Sequence, residues 1–202
     1  MKIVAIIQAR MGSIRLPGKV LKKIGNKNLI EIILERLSHS NEINEIVVAT
    51  SVDSKNDVLQ KFVESLNYNC FRGSEKDVLE RYFMCAERFN ADAVVRVTGD
   101  CPLVDAELVD DLIKQFKKSN VDYLSNVEPS TFPDGLDIEI ISFDALKKAH
   151  LIASSEYDRE HVTPLIRKSD DFSRSSYKYS EDLSNKRWSV DEEEDLEVAR
   201  NI

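Results

Sequence analysis

Apolar residues recur along this chain in two alternating patterns: short unbroken runs, and stretches spaced by three and four. Ile3 to Ile7, Glu45 to Thr50 and Ala93 to Thr98 are runs of the first kind. Dominated by Val, Ile and Ala, they predict strands covered on both faces, as in a parallel sheet. Helical spacing fills the intervals. Asn28 caps a helix to about Ser38 with Leu29, Ile32, Ile33 and Leu37 on one face, and Val58, Phe62, Val63 and Leu66 mark a second. A short strand at Tyr68–Phe71 leads into Arg72-Gly73-Ser74, after which Ser74 and Asp77 start a helix. Leu108–Lys118 predicts another.

Beyond Val121 the pattern changes. Pro129, Pro133 and Gly135 predict a loop over 126–136. Asp137–Ser142 then alternates, with Ile138 and Ile140 set against Glu139 and Ile141, as in a half-exposed strand. Helices are expected at Phe143–Ala153 and Glu160–Lys168, a strand at Phe172–Tyr179, and an acidic helix after Arg187-Trp188-Ser189-Val190-Asp191. Without repeats or linkers, the pattern predicts one α/β domain over residues 1–202. Its sheet is mostly parallel and doubly wound (Rossmann-like), with a small antiparallel insertion around 126–180. Open sheets of this kind bind ligands beyond the carboxyl ends of their strands, and the insertion is expected to carry a second substrate. The acidic helix is still running at Ile202, which leaves room for a longer parent chain.

Composition narrows the partners. With 42% hydrophobic and 32% charged residues over 202 positions, the chain has material for one sizeable core. A net charge of −8 argues against nucleic acid, whose binding face needs excess Lys and Arg. No apolar run reaches the ~20 residues of a membrane span. Cys70, Cys85 and Cys101 lack C-x-x-C spacing, which fits a reducing cytoplasm and neither a zinc site nor a disulfide framework.

Against that acidic background, residues 8–19 stand out. Strand Ile3–Ile7 runs into a loop carrying Arg10, Arg15 and Lys19 with glycines at 12 and 18. Glycines admit a ligand close to backbone N–H groups and three cations offset several negative charges, so the loop predicts a nucleoside triphosphate site. It is no P-loop: five residues rather than four separate Gly12 from Gly18, and Val20 stands where a magnesium-binding hydroxyl belongs. The dinucleotide fingerprint G-x-G-x-x-G is absent as well. Strand Ala93–Thr98 empties into Gly99-Asp100, where a carboxylate could hold a metal over phosphates or merely cap the turn. Asp191 supplies a second carboxylate, and the two form a pair if the last segment returns beside the central strand.

Arg10-Met11-Gly12-Ser13-Ile14-Arg15-Leu16-Pro17-Gly18-Lys19 resembles the signature loop of cytidylyltransferases that activate sugars as CMP derivatives. Phe71-Arg72-Gly73-Ser74, Val95-Arg96-Val97-Thr98-Gly99-Asp100, Arg159-Glu160-His161-Val162-Thr163-Pro164 and Arg187-Trp188-Ser189-Val190-Asp191 follow in the expected order. Together they look like the spore coat polysaccharide F-type branch of that family, which also holds CMP-Kdo and CMP-sialic acid synthetases. The resemblance implies CTP, Mg2+, a small-molecule acceptor (sugar acid, phosphate or phosphonate) and release of pyrophosphate. It also allows a homodimer. By the same resemblance Ala9, Arg10, Gly12, Ser13, Arg15, Lys19, Arg72, Gly73, Thr98 and Gly99 would line the nucleotide. Lys19, Arg15 and Asp100 would be catalytic, with metal on Asp100 and Asp191.

The acceptor side is less legible. Asp137 and Glu139 share one strand face and could bind substrate or only solvent. His161 is either a substrate contact or a hydrogen-bonded structural residue, and Arg187 either clamps an acidic acceptor or pairs with the terminal helix. Two rivals remain open. A GT-A glycosyltransferase would want Asp-x-Asp where Gly99-Asp100-Cys101 stands, and a non-catalytic nucleotide-binding protein would tolerate loss of Lys19 or a carboxylate, yet all are present.

Overall fold

A computed structural model describes residues 1–201. The apolar runs become the parallel strands β1 (Ile3–Gln8), β4 (Glu45–Ser51) and β6 (Ala93–Thr98), and the short strand expected before Arg72 becomes the parallel edge strand β5 (Asn69–Gly73). Between β1 and β4 a short antiparallel ribbon, β2 (Lys23–Ile24) and β3 (Lys27–Asn28), turns at Gly25 and delivers the chain into helix α1 (Leu29–Ser38). The helix begins where Asn28 and Glu31 exchange side-chain and backbone hydrogen bonds, a reciprocal capping box. Helices α2 (Asp57–Ser65), α3 (Val78–Arg88) and α4 (Ala106–Ser119) follow their strands, Asp77 and Asp105 capping the last two.

Strands β7 (Tyr123–Ser125), β8 (Glu139–Ser142) and β9 (Arg174–Ser176) complete the sheet. Among the described residues its order is β5-β4-β1-β6-β8-β7-β9. Strand β8 runs antiparallel to both β6 and β7, so the sheet is mixed beyond β6. Helices α5 (Phe143–Ile152), α6 (Glu156–His161) and α7 (Pro164–Lys168) cover one face, and α8 (Glu193–Asn201) closes the other beside β2. Two apolar clusters sandwich the sheet, one around Ile3, Ile7, Leu34 and Leu112, the other around Val4, Ile6, Tyr82 and Leu146.

Several elements differ from expectation for physical reasons. Strand β8 is buried rather than half-exposed, because β6 and β7 flank it and Glu139 is neutralised internally. On α1 the buried face runs through Ile30 and Leu34, with Ile32 at its margin, and on α2 Leu59 rather than Val58 points inward. The stretch Glu160–Lys168 is two short helices, since Pro164 opens a new one. The strand expected over Phe172–Tyr179 shrinks to β9. None of the described helices is long and apolar enough to cross a membrane.

Candidate active site

The first two parallel crossovers lead from β1 to β4 and β5 on one side, whereas β6 pairs on β1's other side. The carboxyl ends of β1 and β6 therefore diverge at a topological switch, where a crevice opens. Gly99 makes the junction tight: its N–H donates to the Gln8 carbonyl at 2.8 Å, and a Cβ there would meet that oxygen at the same distance. Beyond Gln8 the chain loops through residues 9–18 and closes on itself, Gly18 N–H donating to Met11 at 3.0 Å. Gly18 sits at φ +67°, a left-handed conformation that favours glycine. The Met11 N–H donates to Asn56 at 2.8 Å, fixing the loop to the start of α2.

The loop aims Lys19 inward. Its ammonium donates to Asp100 Oδ2 at 2.9 Å, Asp191 Oδ1 at 2.8 Å and the Val190 carbonyl at 3.0 Å. Burial would push the Lys19 ammonium down, but the two carboxylates, Asp100 foremost, hold it above its ordinary value. Burial likewise works against Asp100 ionisation, and the Lys19 charge with the Thr98 hydrogen bond keeps that carboxyl below its usual range. The last segment returns beside β6 because Val190 N–H donates to the Asp100 carbonyl at 2.8 Å. Asp100 and Asp191 thus meet across one nitrogen, although far apart in sequence.

Around this triad lies a cleft of about 850 Å³ lined by Ala9, Arg10, Ser13, Arg15, Lys19, Thr98, Gly99, Asp100, His161 and Asp191. Arg15 pairs with the outer oxygen of Asp191 at 2.9 Å, and Arg10 with Glu75 at 3.1 Å. The rest of the lining comes from the approach to α3 (Glu75 and the cap Asp77), from Arg81 on α3 and from the segment Ser154–His161, of which only His161 was expected from sequence. Arg81 falls within the apolar stripe of Val78, Leu79, Tyr82 and Cys85, a misplaced charge that could have flagged it.

Six expected site residues lie outside this lining. Gly12 is in the loop but does not reach the cleft wall. Arg72 instead binds the carbonyls of Ser51 and Asp53 and the side chains of Asp57 and Gln60, tying down the β4–α2 connection. Gly73 leaves room for Arg81, whose Cγ a Cβ would meet at 2.9 Å. Glu139 is consumed by a buried ion pair with Arg96 and a 2.6 Å hydrogen bond from Tyr123, so it is neither solvated nor available to substrate. Asp137 precedes β8, and burial with the nearby Asp134 charge pushes its carboxyl up to about 6. Arg187 pairs with Asp195 of α8 at 2.8 Å and with Asp191 at 3.5 Å.

The donor set of Asp100 and Asp191 is made of hard oxygens suited to magnesium. Among the described residues no group of three His, Cys, Asp or Glu gathers, so a cation here would draw further ligands from nucleotide phosphates and water.

Comparison with known proteins agrees with this geometry. The family described as Cytidylyltransferase matches residues 4–198. A solved cytidylyltransferase from Leptospira borgpetersenii superposes with a TM-score of 0.95 at 35% identity, covering 99% of this chain and 85% of that one. The spore coat polysaccharide biosynthesis protein SpsF of Bacillus subtilis is 36% identical over 82% of this chain and 70% of its own length. A CMP:2-keto-3-deoxy-manno-octonic acid synthetase solved with CTP shares the fold, with a TM-score of 0.80 at 18% identity over 100% of this chain and 98% of that one. The glycosyltransferase and non-catalytic readings fall away, and the chain belongs to the cytidylyltransferase family.

Proposed function

We propose that this enzyme transfers CMP from CTP to a hydroxyl of a sugar-acid acceptor, with Mg2+ held by Asp100 and Asp191, for assembly of a surface polysaccharide or related glycoconjugate. The observation that carries this reading is the Lys19–Asp100–Asp191 triad beneath a cationic loop at the end of the central strands. The acceptor oxygen attacks the α-phosphorus in line, the bond to the bridging oxygen breaks, and pyrophosphate leaves with the electron pair. The acceptor's proton passes to solvent. Such transfers depend on alignment and charge neutralisation more than on covalent participation. Arg15 and Lys19 neutralise the departing pyrophosphate, while loop N–H groups orient the triphosphate. Magnesium, when bound, adds Lewis-acid polarisation of the phosphoryl oxygens.

The octonic acid synthetase named above makes keto-acid sugars the first acceptors to try. Incubating the protein with CTP, MgCl2 and such acids is expected to release pyrophosphate, and Asp100→Asn to lower turnover at least ~100-fold with the fold retained. Wild-type turnover in that variant would overturn the assignment of Asp100.

A further inference from the structure

A line of polar side chains crosses four neighbouring strands and ends at the cleft. Tyr123 of β7 donates to Glu139 Oε1 of β8 at 2.6 Å, Glu139 pairs with Arg96 of β6, and Arg96 Nη2 donates to Gln8 Oε1 of β1 at 3.3 Å. Its middle is costly to bury: Glu139 is 3% exposed, and Arg96 Nε is enclosed without a partner. A buried ion pair adds little net stability over apolar residues of the same volume, so one that leads to a site calls for a purpose there. Of the four side chains only Gln8 lines the cleft.

Arg96 fixes which way round the Gln8 amide lies. A guanidinium has no acceptor, so Gln8 offers it Oε1 and turns Nε2 away. Among the described residues no oxygen accepts from that Nε2, and it is not enclosed, which leaves its two N–H donors open to the cleft. The Arg96 charge polarises the amide and strengthens both.

Resting on the proposed transfer to a sugar acid, we infer that Gln8 binds the acceptor, its Nε2 donating to the acceptor's carboxylate. Strand alternation puts Gln8 on the sheet face of Val4 and Ile6, which share a cluster with Ala153 and Val162. Those two residues bracket the Ser154–His161 part of the lining, whereas Arg15 and Lys19, which take the phosphates, lie beyond Gln8 in the loop. The lining around that segment is rich in carboxylates: Glu75, Asp77, Glu156 and Glu160. Its Arg159 is spent on Asp77 and the carbonyls of Ala153 and His150. An acid entering here needs a donor that is still free, and the amide backed by Arg96 supplies one.

The test is a split between two Michaelis constants. Pyrophosphate release is followed with CTP, MgCl2 and a panel of 2-keto-3-deoxy sugar acids in wild type, Gln8→Glu and Gln8→Ala. Gln8→Glu keeps an oxygen on Arg96 and replaces the donors by a second carboxylate oxygen. It is expected to raise the acceptor KM about tenfold or more, with the CTP KM within about twofold of wild type, and Gln8→Ala to raise the acceptor KM as well. An unchanged acceptor KM in Gln8→Glu overturns the inference. A CTP KM that rises as much as the acceptor KM overturns it too, by placing the amide on the nucleotide. Wild type that releases no pyrophosphate with any of these acids overturns the acceptor class on which the inference rests, whatever the Gln8 variants do.

Discussion

Asp137 shows how a single residue's surroundings set its charge. Burial, reinforced by Asp134 and Glu139, raises its carboxyl from 3.8 to about 6. The folded chain therefore binds a proton that the unfolded chain has already released, and the ionised form is penalised in the native state. That penalty is absent below pH 4, grows as pH rises from 4 to 6, and is complete above 6. Asp137→Asn keeps a similar shape without the charge. Urea denaturation is expected to find the variant more stable than wild type by on the order of 1–2 kcal/mol at pH 7.5, after allowance for partial solvent screening, and indistinguishable at pH 4. Equal stability at both pH values would mean that the carboxyl ionises normally. Nothing in the sequence announces this: Asp137 and Glu139 are two carboxylates on an alternating strand, and what separates their fates is Arg96, a charge on the neighbouring strand. Burial would push the Glu139 carboxyl up, but Arg96, Tyr123 and Thr163 hold it below the usual range.

At the scale of elements, the junction of α6 and α7 carries an unusual turn. Val162 has φ 72° and ψ −56°, and the Thr163 N–H donates to the His161 carbonyl at 2.8 Å. This is a γ-turn of the rare positive-φ kind, strained for a β-branched residue. The strain is tolerated because its surroundings determine it. Val162 is fully buried, Thr163 bonds the internal Glu139, and Arg159 in the helix before it is held by the carbonyls of Ala153 and His150 and by Asp77. The result is a sharp corner that leaves His161 on the cleft wall. Val162→Gly would relieve about 1–3 kcal/mol of strain while losing a similar amount of apolar burial. Thermal denaturation is expected to show little net change, within ~1 kcal/mol, whereas a loss of 3 kcal/mol or more would show that the turn carries no strain. The periodicity across Glu160–Lys168 concealed this corner, yet Pro164 marks a first helical position and could have revealed it. Strands β1, β4 and β6 were legible for the opposite reason: two-sided burial makes each a largely apolar run. Strand β7 went unseen because three residues carry no period, and its partners are remote in sequence.

For the whole molecule, the site depends on two parts of unequal stability. The phosphate loop and Asp100 hang from β1 and β6, whose residues from Ile3 to Ile7 are all completely buried. Asp191 arrives on a segment that is mostly exposed from Lys178 to Arg187. That segment is fastened by a few backbone bonds, from Leu183 to Thr131, Trp188 to Asp134 and Val190 to Asp100, and by Lys19 itself. Motifs in sequence named both parts and made their meeting conditional on the return of the last segment, since the pairing runs through a single backbone hydrogen bond and one ammonium. Regions with few buried apolar contacts open at lower free energy than the core. Hydrogen exchange is therefore expected to show fast opening around residues 183–190 and slow opening in β1 and β6. A ligand that binds only the assembled site adds RT ln(1 + [L]/Kd) to its stability, about 2.7 kcal/mol at a hundredfold excess over Kd. CTP with magnesium should accordingly slow exchange at the Val190 amide roughly as strongly as in the phosphate loop. If the loop gains protection and residues 187–192 gain none, nucleotide binds without Asp191, and the second carboxylate belongs to the apo protein's ion pair rather than to catalysis.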